Sequence, residues 1–202
     1  MCSVGTVYPA FKTVHDLAIY AMLIGELRPC TIIELGSVTG GSALFFADLC
    51  TSMDLTTDVI SIDKDVGEVS DRRINFIQSD CLIWLDAAIK SKREFRRSCL
   101  LIEDFHADLT KFFQHIDMIL EDGDYLFIED SGSKQNRIAE VIARRPYLID
   151  TKYSDFFGIN CTSAMNSIFV KRTEPSPVEA RTRQERRFLQ AQDRAWRRKN
   201  RP

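Results

Sequence analysis

The chain has no long apolar run. The longest, Leu17 to Gly25, is less than half of the roughly 20 residues needed to cross a bilayer. The first residues also lack the basic-then-apolar order of a secretory leader. Together these absences lead to the expectation of a cytoplasmic protein that meets no membrane. The six cysteines stand at positions 2, 30, 50, 81, 99 and 161, never closer than 18 residues to one another. That spacing excludes CxxC redox pairs and zinc-ligand clusters, and reduced, mostly buried thiols are expected instead. Glycine (9) and proline (6) are sparse among 202 residues, which excludes collagen-like and low-complexity architectures.

No excess of one charge shows at first sight, with 27 Lys and Arg against 29 Asp and Glu. The distribution along the chain is uneven, however. From Lys171 to Pro202 there are 11 basic against 4 acidic residues, which leaves residues 1–170 with 16 against 25. An acidic body therefore carries a basic tail. With 45% hydrophobic and 28% charged residues, the body reads as one ordinary globular domain over 1–173. The Glu174-Pro175-Ser176-Pro177 break then separates a charged helical tail over 174–202.

Within the body, short β-type runs alternate with helical stretches. This is the rhythm of βαβ units around a mainly parallel, doubly wound sheet, an α/β fold. Seven strands are expected, at 31–35, 58–62, 74–78, 98–102, 125–128, 147–152 and 167–171. Helices are expected at 42–51, 82–90, 108–120 and 135–144, with an apolar helix over 14–27 stopped by Arg28-Pro29. The stripe Leu109, Phe112, Phe113, Ile116 and Ile119 has helical spacing and belongs to the core.

The first strand runs into a turn in IIELGSVTGGSALFF, and a helix follows at once. Glycines there permit a sharp strand-to-helix turn and let backbone amides approach a ligand at a positive helix end. The spacing is acid-x-Gly-x-x-x-Gly rather than the G-x-G-x-x-G of dinucleotide sites. An acid at this strand end suits a sulfonium and an ammonium better than a pyrophosphate, which favours S-adenosylmethionine. Glu34, Gly36, Ser37, Gly40 and Ser42 are the candidate contacts. Asp63, ending the second strand, stands where an acid accepts ribose hydroxyls. Ser79 and Asp80 follow the third strand, either at the adenine edge or as a helix N-cap.

Two further strands end in acids, at Glu103-Asp104-Phe105-His106 and Glu129-Asp130-Ser131-Gly132. The carboxyl ends of neighbouring parallel strands face one crevice, where Glu103, Glu129 and Asp130 are expected to converge. Carboxylates packed without a cation repel, so Mg²⁺, which takes oxygen ligands, is the expected occupant. His106 is the candidate general base.

These segments, in this order, resemble the cephalosporin hydroxylase family, class I methyltransferase-like proteins of natural-product pathways. The likeness rests on IIELGSVTGGSALFFADL and on LLIEDFHADLTKFFQHIDMILEDGDYLFIEDSG, and extends over about residues 6–171. It implies S-adenosylmethionine bound by the first segment, with Glu103 beside it, and Mg²⁺ held by Glu103, Glu129 and Asp130. Where the family usually has Asp-x-x-His, this chain has Glu103-x-x-His106, with Asp104 as the alternative ligand. The implied activity is O-methylation of a hydroxyl or enol on a small natural-product-type acceptor. Alternatives are a hydroxylase-type or non-methylating tailoring enzyme, and a non-catalytic partner protein. Tyr153, Phe156, Phe157 and Asn160 are the expected acceptor wall. The basic tail is expected either to dock on a second subunit, giving a homo-oligomer, or to stay solvated or partly disordered, rather than to bind nucleic acid, for which no recognised module is present.

Overall fold

The computed structural model describes residues 10, 12–65, 69–106, 108–159 and 161–173. The basic tail and Asn160 lie outside the described residues. Helix α1 (Val14–Leu27) starts at Thr13, whose hydroxyl oxygen accepts from the Asp16 amide. It ends at Arg28 in a left-handed conformation, directly before Pro29. Then follow β1 (Thr31–Leu35), α2 (Gly41–Ser52), β2 (Asp58–Asp63), β3 (Ile74–Gln78), α3 (Cys81–Lys90), β4 (Cys99–Glu103), α4 (Leu109–Ile119) and β5 (Tyr125–Ile128). A 3-10 turn (Ser131–Lys134) leads into α5 (Gln135–Ile142), β6 (Tyr147–Ile149), α6 (Thr151–Ser154) and β7 (Ile168–Lys171).

The sheet order is β3-β2-β1-β4-β5-β7-β6. The first five strands are parallel, and β7 runs antiparallel between β5 and β6. The expected doubly wound α/β architecture is therefore present. One strand is shorter than its apolar pattern suggested. It stops at Ile149, because the Asp150 side chain accepts from the Lys152 amide and caps a helical turn.

Successive strand residues face opposite sides of a sheet. Ile32, Leu100, Ile102, Phe127 and Ile168 pack beneath α1 and α2. Ile33, Leu35, Cys99, Leu101, Leu126 and Ile128 pack against α3 and α4. This parity decides where the acids at the strand ends point.

Lys171, the last residue of β7, is buried, and its ammonium donates to the Asp117 and Leu120 carbonyls, each at 2.8 Å. It thereby satisfies carbonyls left open at the end of α4.

Candidate active site

Gly36 leaves β1 at φ +93°, a conformation that favours glycine. A Cβ there would lie 2.7 Å from the Asp104 carbonyl oxygen. The turn after β1 is thus pressed against the segment after β4. Asp63 fixes the same turn, its Oδ2 accepting from the Ser37 and Val38 amides at 2.8 Å each. Asp63 Oδ1 accepts from the Asp65 amide. A small cavity of about 120 Å³ opens beside it, lined by Ser37, Ser61, Asp63, Phe76, Ile77 and Gln78.

Glu34 follows the parity of Ile32 onto the α1 face and is fully buried. Its Oε2 accepts from the Ser61 hydroxyl at 3.3 Å, and the Ser42 hydroxyl also bonds the carboxylate. Oε1 has no hydrogen-bond partner. Burial pushes its pKa up to about 7, with Lys12 and the two hydroxyls pulling the other way.

Glu129 continues β5 onto the same face. Its Oε1 accepts from the Tyr20 hydroxyl at 2.5 Å and lies 2.8 Å from Lys12 Nζ. Burial raises its pKa to about 8 despite Lys12. Lys12 Nζ is also 2.6 Å from Asp104 Oδ2 and 4.0 Å from Glu34 Oε1. Burial opposes the charge of Lys12, yet Glu129, Glu34 and Asp104 together hold its pKa above the usual lysine value.

The three metal-type acids do not meet as expected. Glu103 aligns with Ile128 in the ladder and follows Cys99 and Leu101 onto the opposite side from Glu129. There it is fully buried, with its Oε2 3.4 Å from Lys134 Nζ. The next residue takes the place foreseen for it. Asp104, His106 and Asp130 each present one ligand atom, all within 4.8 Å of one another. His106 and Asp130 both sit at left-handed φ, +54° and +45°. They are the open side of the cluster, with side chains 56% and 65% exposed. His106 Nε2 lies 3.9 Å from Asp130 Oδ2, and Nδ1 lies 3.0 Å from Lys134 Nζ.

Other candidates take structural positions. Asp80 is the N-cap of α3, accepting from the Leu82 and Ile83 amides and pairing with Lys64 at 3.0 Å. The Ser79 hydroxyl donates to the Asp80 carbonyl. Of the two readings of this pair, the geometry matches capping. Tyr153 is buried, its hydroxyl donating to Glu26 on α1, so it does not face an acceptor. Phe156 and Phe157 are exposed, and Phe157 packs on His15 with ring centres 5.0 Å apart.

Lys12, Tyr20 and Lys134 escaped the sequence reading. Tyr20 is a polar tip on an apolar helix and could have been suspected. Lys12 and Lys134 carry no motif, since the elements that bring them to the crevice are distant in sequence. A larger hollow of about 750 Å³ opens at the other ends of β1, β2 and β3, lined by Asp58, Arg72, Arg73 and Arg96 among others. It lies at the wrong end of the strands for Glu34, Asp104 and Glu129.

A sheet of this order, with a glycine turn after the first strand and acids at the carboxyl ends, is the class I S-adenosylmethionine-dependent methyltransferase fold. Residues 6–148 match the family described as Rhamnosyl O-methyltransferase/CmcI, and the chain belongs to that family. It is similar to the rhamnosyl O-methyltransferase of Mycobacterium tuberculosis, with 26% identity over 160 residues, 73% of this chain and 64% of that one. The chain thus spans a little under two thirds of the length of the curated relatives it matches. Among solved structures it resembles an apo form of CmcI, with a TM-score of 0.70 at 26% identity, covering 81% of this chain and 73% of that chain. A CmcI form with Mg and SAM gives a TM-score of 0.67 at 28% identity, with the same coverage of each chain.

Proposed function

We propose that the protein is an S-adenosylmethionine-dependent, Mg²⁺-assisted O-methyltransferase acting on a hydroxyl or enol of a small acceptor. The observation that carries this reading is the meeting, in one crevice, of a buried carboxylate oxygen without a hydrogen-bond partner and three metal-competent ligand atoms. Such an orphaned oxygen, Glu34 Oε1, suits the N–H of the cofactor's ammonium, because a buried acceptor left unpaired is costly. The donor set of Asp104 and Asp130 carboxylates suits a hard divalent cation. When bound, S-adenosylmethionine supplies the methyl group, and Mg²⁺ acts as a Lewis acid that lowers the acceptor's pKa.

The chain's own residues then do the following. Asp63 holds the turn and borders the cavity that takes part of the nucleoside, with Phe76 as a stacking face. Glu129, tied by Tyr20, stands behind the ligand cluster. His106 accepts the acceptor's proton at Nδ1 once Lys134 Nζ leaves that atom for Glu103 Oε2, already 3.4 Å away. Rate enhancement comes chiefly from holding the nucleophile in line with the methyl group in a dry site. Phe156 and Phe157 offer an apolar flank for the acceptor's body, and a sugar hydroxyl is the first acceptor class to try, given the names of the relatives.

The experiment is a calorimetric titration of S-adenosylmethionine with and without Mg²⁺, followed by transfer of labelled methyl to a panel of glycosides, phenols and enols. Absence of cofactor binding under both conditions refutes the reading. The basic tail completes the proposal as a subunit-docking element, tested by weighing a chain truncated after residue 173; an unchanged oligomer removes it. No helix among the described residues is long and apolar enough to cross a membrane.

A further inference from the structure

A cation already stands in this crevice. The Lys12 side chain is 2% exposed, and its ammonium touches Asp104 at 2.6 Å and Glu129 at 2.8 Å, with Glu34 Oε1 at 4.0 Å. These acids come from the ends of β1, β4 and β5, so one lysine spans both halves of the site: the orphaned oxygen assigned to the cofactor and the Asp104 carboxylate assigned to the metal. With the ammonium in contact, the Asp104 carboxylate is a poorer ligand for a second cation. Mg²⁺ needs ligands at about 2.0–2.1 Å in near-octahedral order, and the ammonium occupies that space beside Asp104. Two positive charges about 4 Å apart in a partly buried site also repel strongly.

Position in the chain gives Lys12 freedom to leave. It precedes the Thr13 N-cap, so it belongs to no helical turn, and α1 starts two residues later. Asp16 anchors the helix start independently, its Oδ1 accepting from the Ser163 amide at 3.0 Å. The lysine stem can therefore swing out without unwinding α1.

We propose that Lys12 is a tethered counter-cation that neutralises the crevice and competes directly with Mg²⁺ for Asp104. This rests on the reading of the site given above. Its consequence is that the apparent metal affinity is reduced by the fraction of molecules in which Lys12 is in place. The same lysine keeps the carboxylates from repelling one another before loading.

Three measurements on the full chain test it. In calorimetric Mg²⁺ titrations without other ligands, Lys12→Met binds at least about tenfold more tightly than wild type, whereas Lys12→Arg, which keeps the charge, stays near wild type. Without metal, Lys12→Met melts at a lower temperature and gains more from added Mg²⁺. Amine acetylation of the wild-type chain, read by mass spectrometry, modifies Lys12 poorly without Mg²⁺ and several-fold more at saturation. The last measurement needs no variant, so it decides the matter if Lys12→Met fails to fold. Equal or weaker Mg²⁺ binding by Lys12→Met, or a Lys12 still protected in Mg²⁺-saturated wild type, overturns the competition and leaves the metal site standing. No Mg²⁺ heat in any form overturns the metal reading and this inference with it.

Discussion

Replacing Gly36 by alanine tests whether the turn after β1 and the segment after β4 are held as closely as the structure places them. At φ +93° an alanine suffers backbone strain of about 1–2 kcal/mol. Its Cβ would also lie 2.7 Å from the Asp104 oxygen, 2.8 Å from the Asp104 carbonyl carbon and 2.9 Å from the Phe105 nitrogen. All three atoms are backbone, so no rotamer change relieves the overlap, and overpacking of this kind costs about 1–3 kcal/mol. The lower entropy of the unfolded alanine chain returns about 0.4–1 kcal/mol. The net expectation is a loss on the order of 2–4 kcal/mol. With a urea m-value of about 2 kcal/mol/M, the midpoint should fall by about 1–2 M at unchanged m. Gly25→Ala is the control. Its Cβ, inside α1, would meet only Met53 side-chain atoms, at 3.6 and 3.7 Å, and should raise stability by about 0.5–1 kcal/mol. Because relief of the clash must move Asp104, Mg²⁺ affinity should fall in Gly36→Ala and hold in Gly25→Ala. A Gly36→Ala midpoint within about 0.3 M of wild type would refute the close packing, since the strain and overlap would then cost almost nothing.

Asp80→Ala should cost about 1 kcal/mol through loss of the α3 cap while S-adenosylmethionine affinity stays within about twofold; a tenfold loss, about 1.4 kcal/mol, would restore the adenine contact. Burial holds Glu34 near pKa 7 and Glu129 near 8, above the unfolded value of about 4.3. The folded state then binds more protons, so metal-free stability should fall as pH rises from about 5 to about 8, and Glu34→Gln should flatten the lower part of that slope. Thermal melts that rise across this window would contradict the assignment. Lys134→Met removes the ammonium that must vacate His106 Nδ1, so the methyl-transfer kcat should hold or rise while the buried Glu103 loses its ion pair and stability falls. Cofactor Kd should be unaffected, and a kcat lowered about tenfold at unchanged Kd would show that the lysine assists His106 instead of masking it.

Much of this structure was legible because most strands end on polar residues, and α1, α3 and α4 begin at capping side chains. β1, β3 and β5 lie where the apolar runs place them, with Glu34 next to last in β1 and Asp63 ending β2. The error at Glu103 is one of register. Nothing in ILEDGDYLFIED or CLLIEDFH says which residue of β4 faces which residue of β5, and a shift of one position exchanges the two faces. Only the pairing of Glu103 with Ile128 shows that Asp104, not Glu103, joins the side of Glu129. β6 was overextended because Asp150 looks like a strand residue until its carboxylate meets the Lys152 amide. Lys12 and Lys134 were out of reach for a simpler reason: their partners lie 92 and 28–31 residues away.

The place of β7 also governs how the molecule can be assembled. Among the described residues it is the last strand to be synthesised, yet it lies inside the sheet, and β6 pairs there with nothing else. A nascent chain that has made only residues up to the end of β6 therefore holds that strand with no edge to join, and β5 with its outer edge bare. The loop carrying Asp130 waits as well, since the Ser131 amide donates to the Ser163 carbonyl and the Ile128 amide to Ser167. Insertion of a late strand between two earlier ones is a long-range step that pays its loop-closure entropy before any reward. The candidate crevice should accordingly be among the last parts of the described fold to form on the ribosome, and a chain released before Ile168 should be caught by chaperones or proteases rather than persist as a folded fragment.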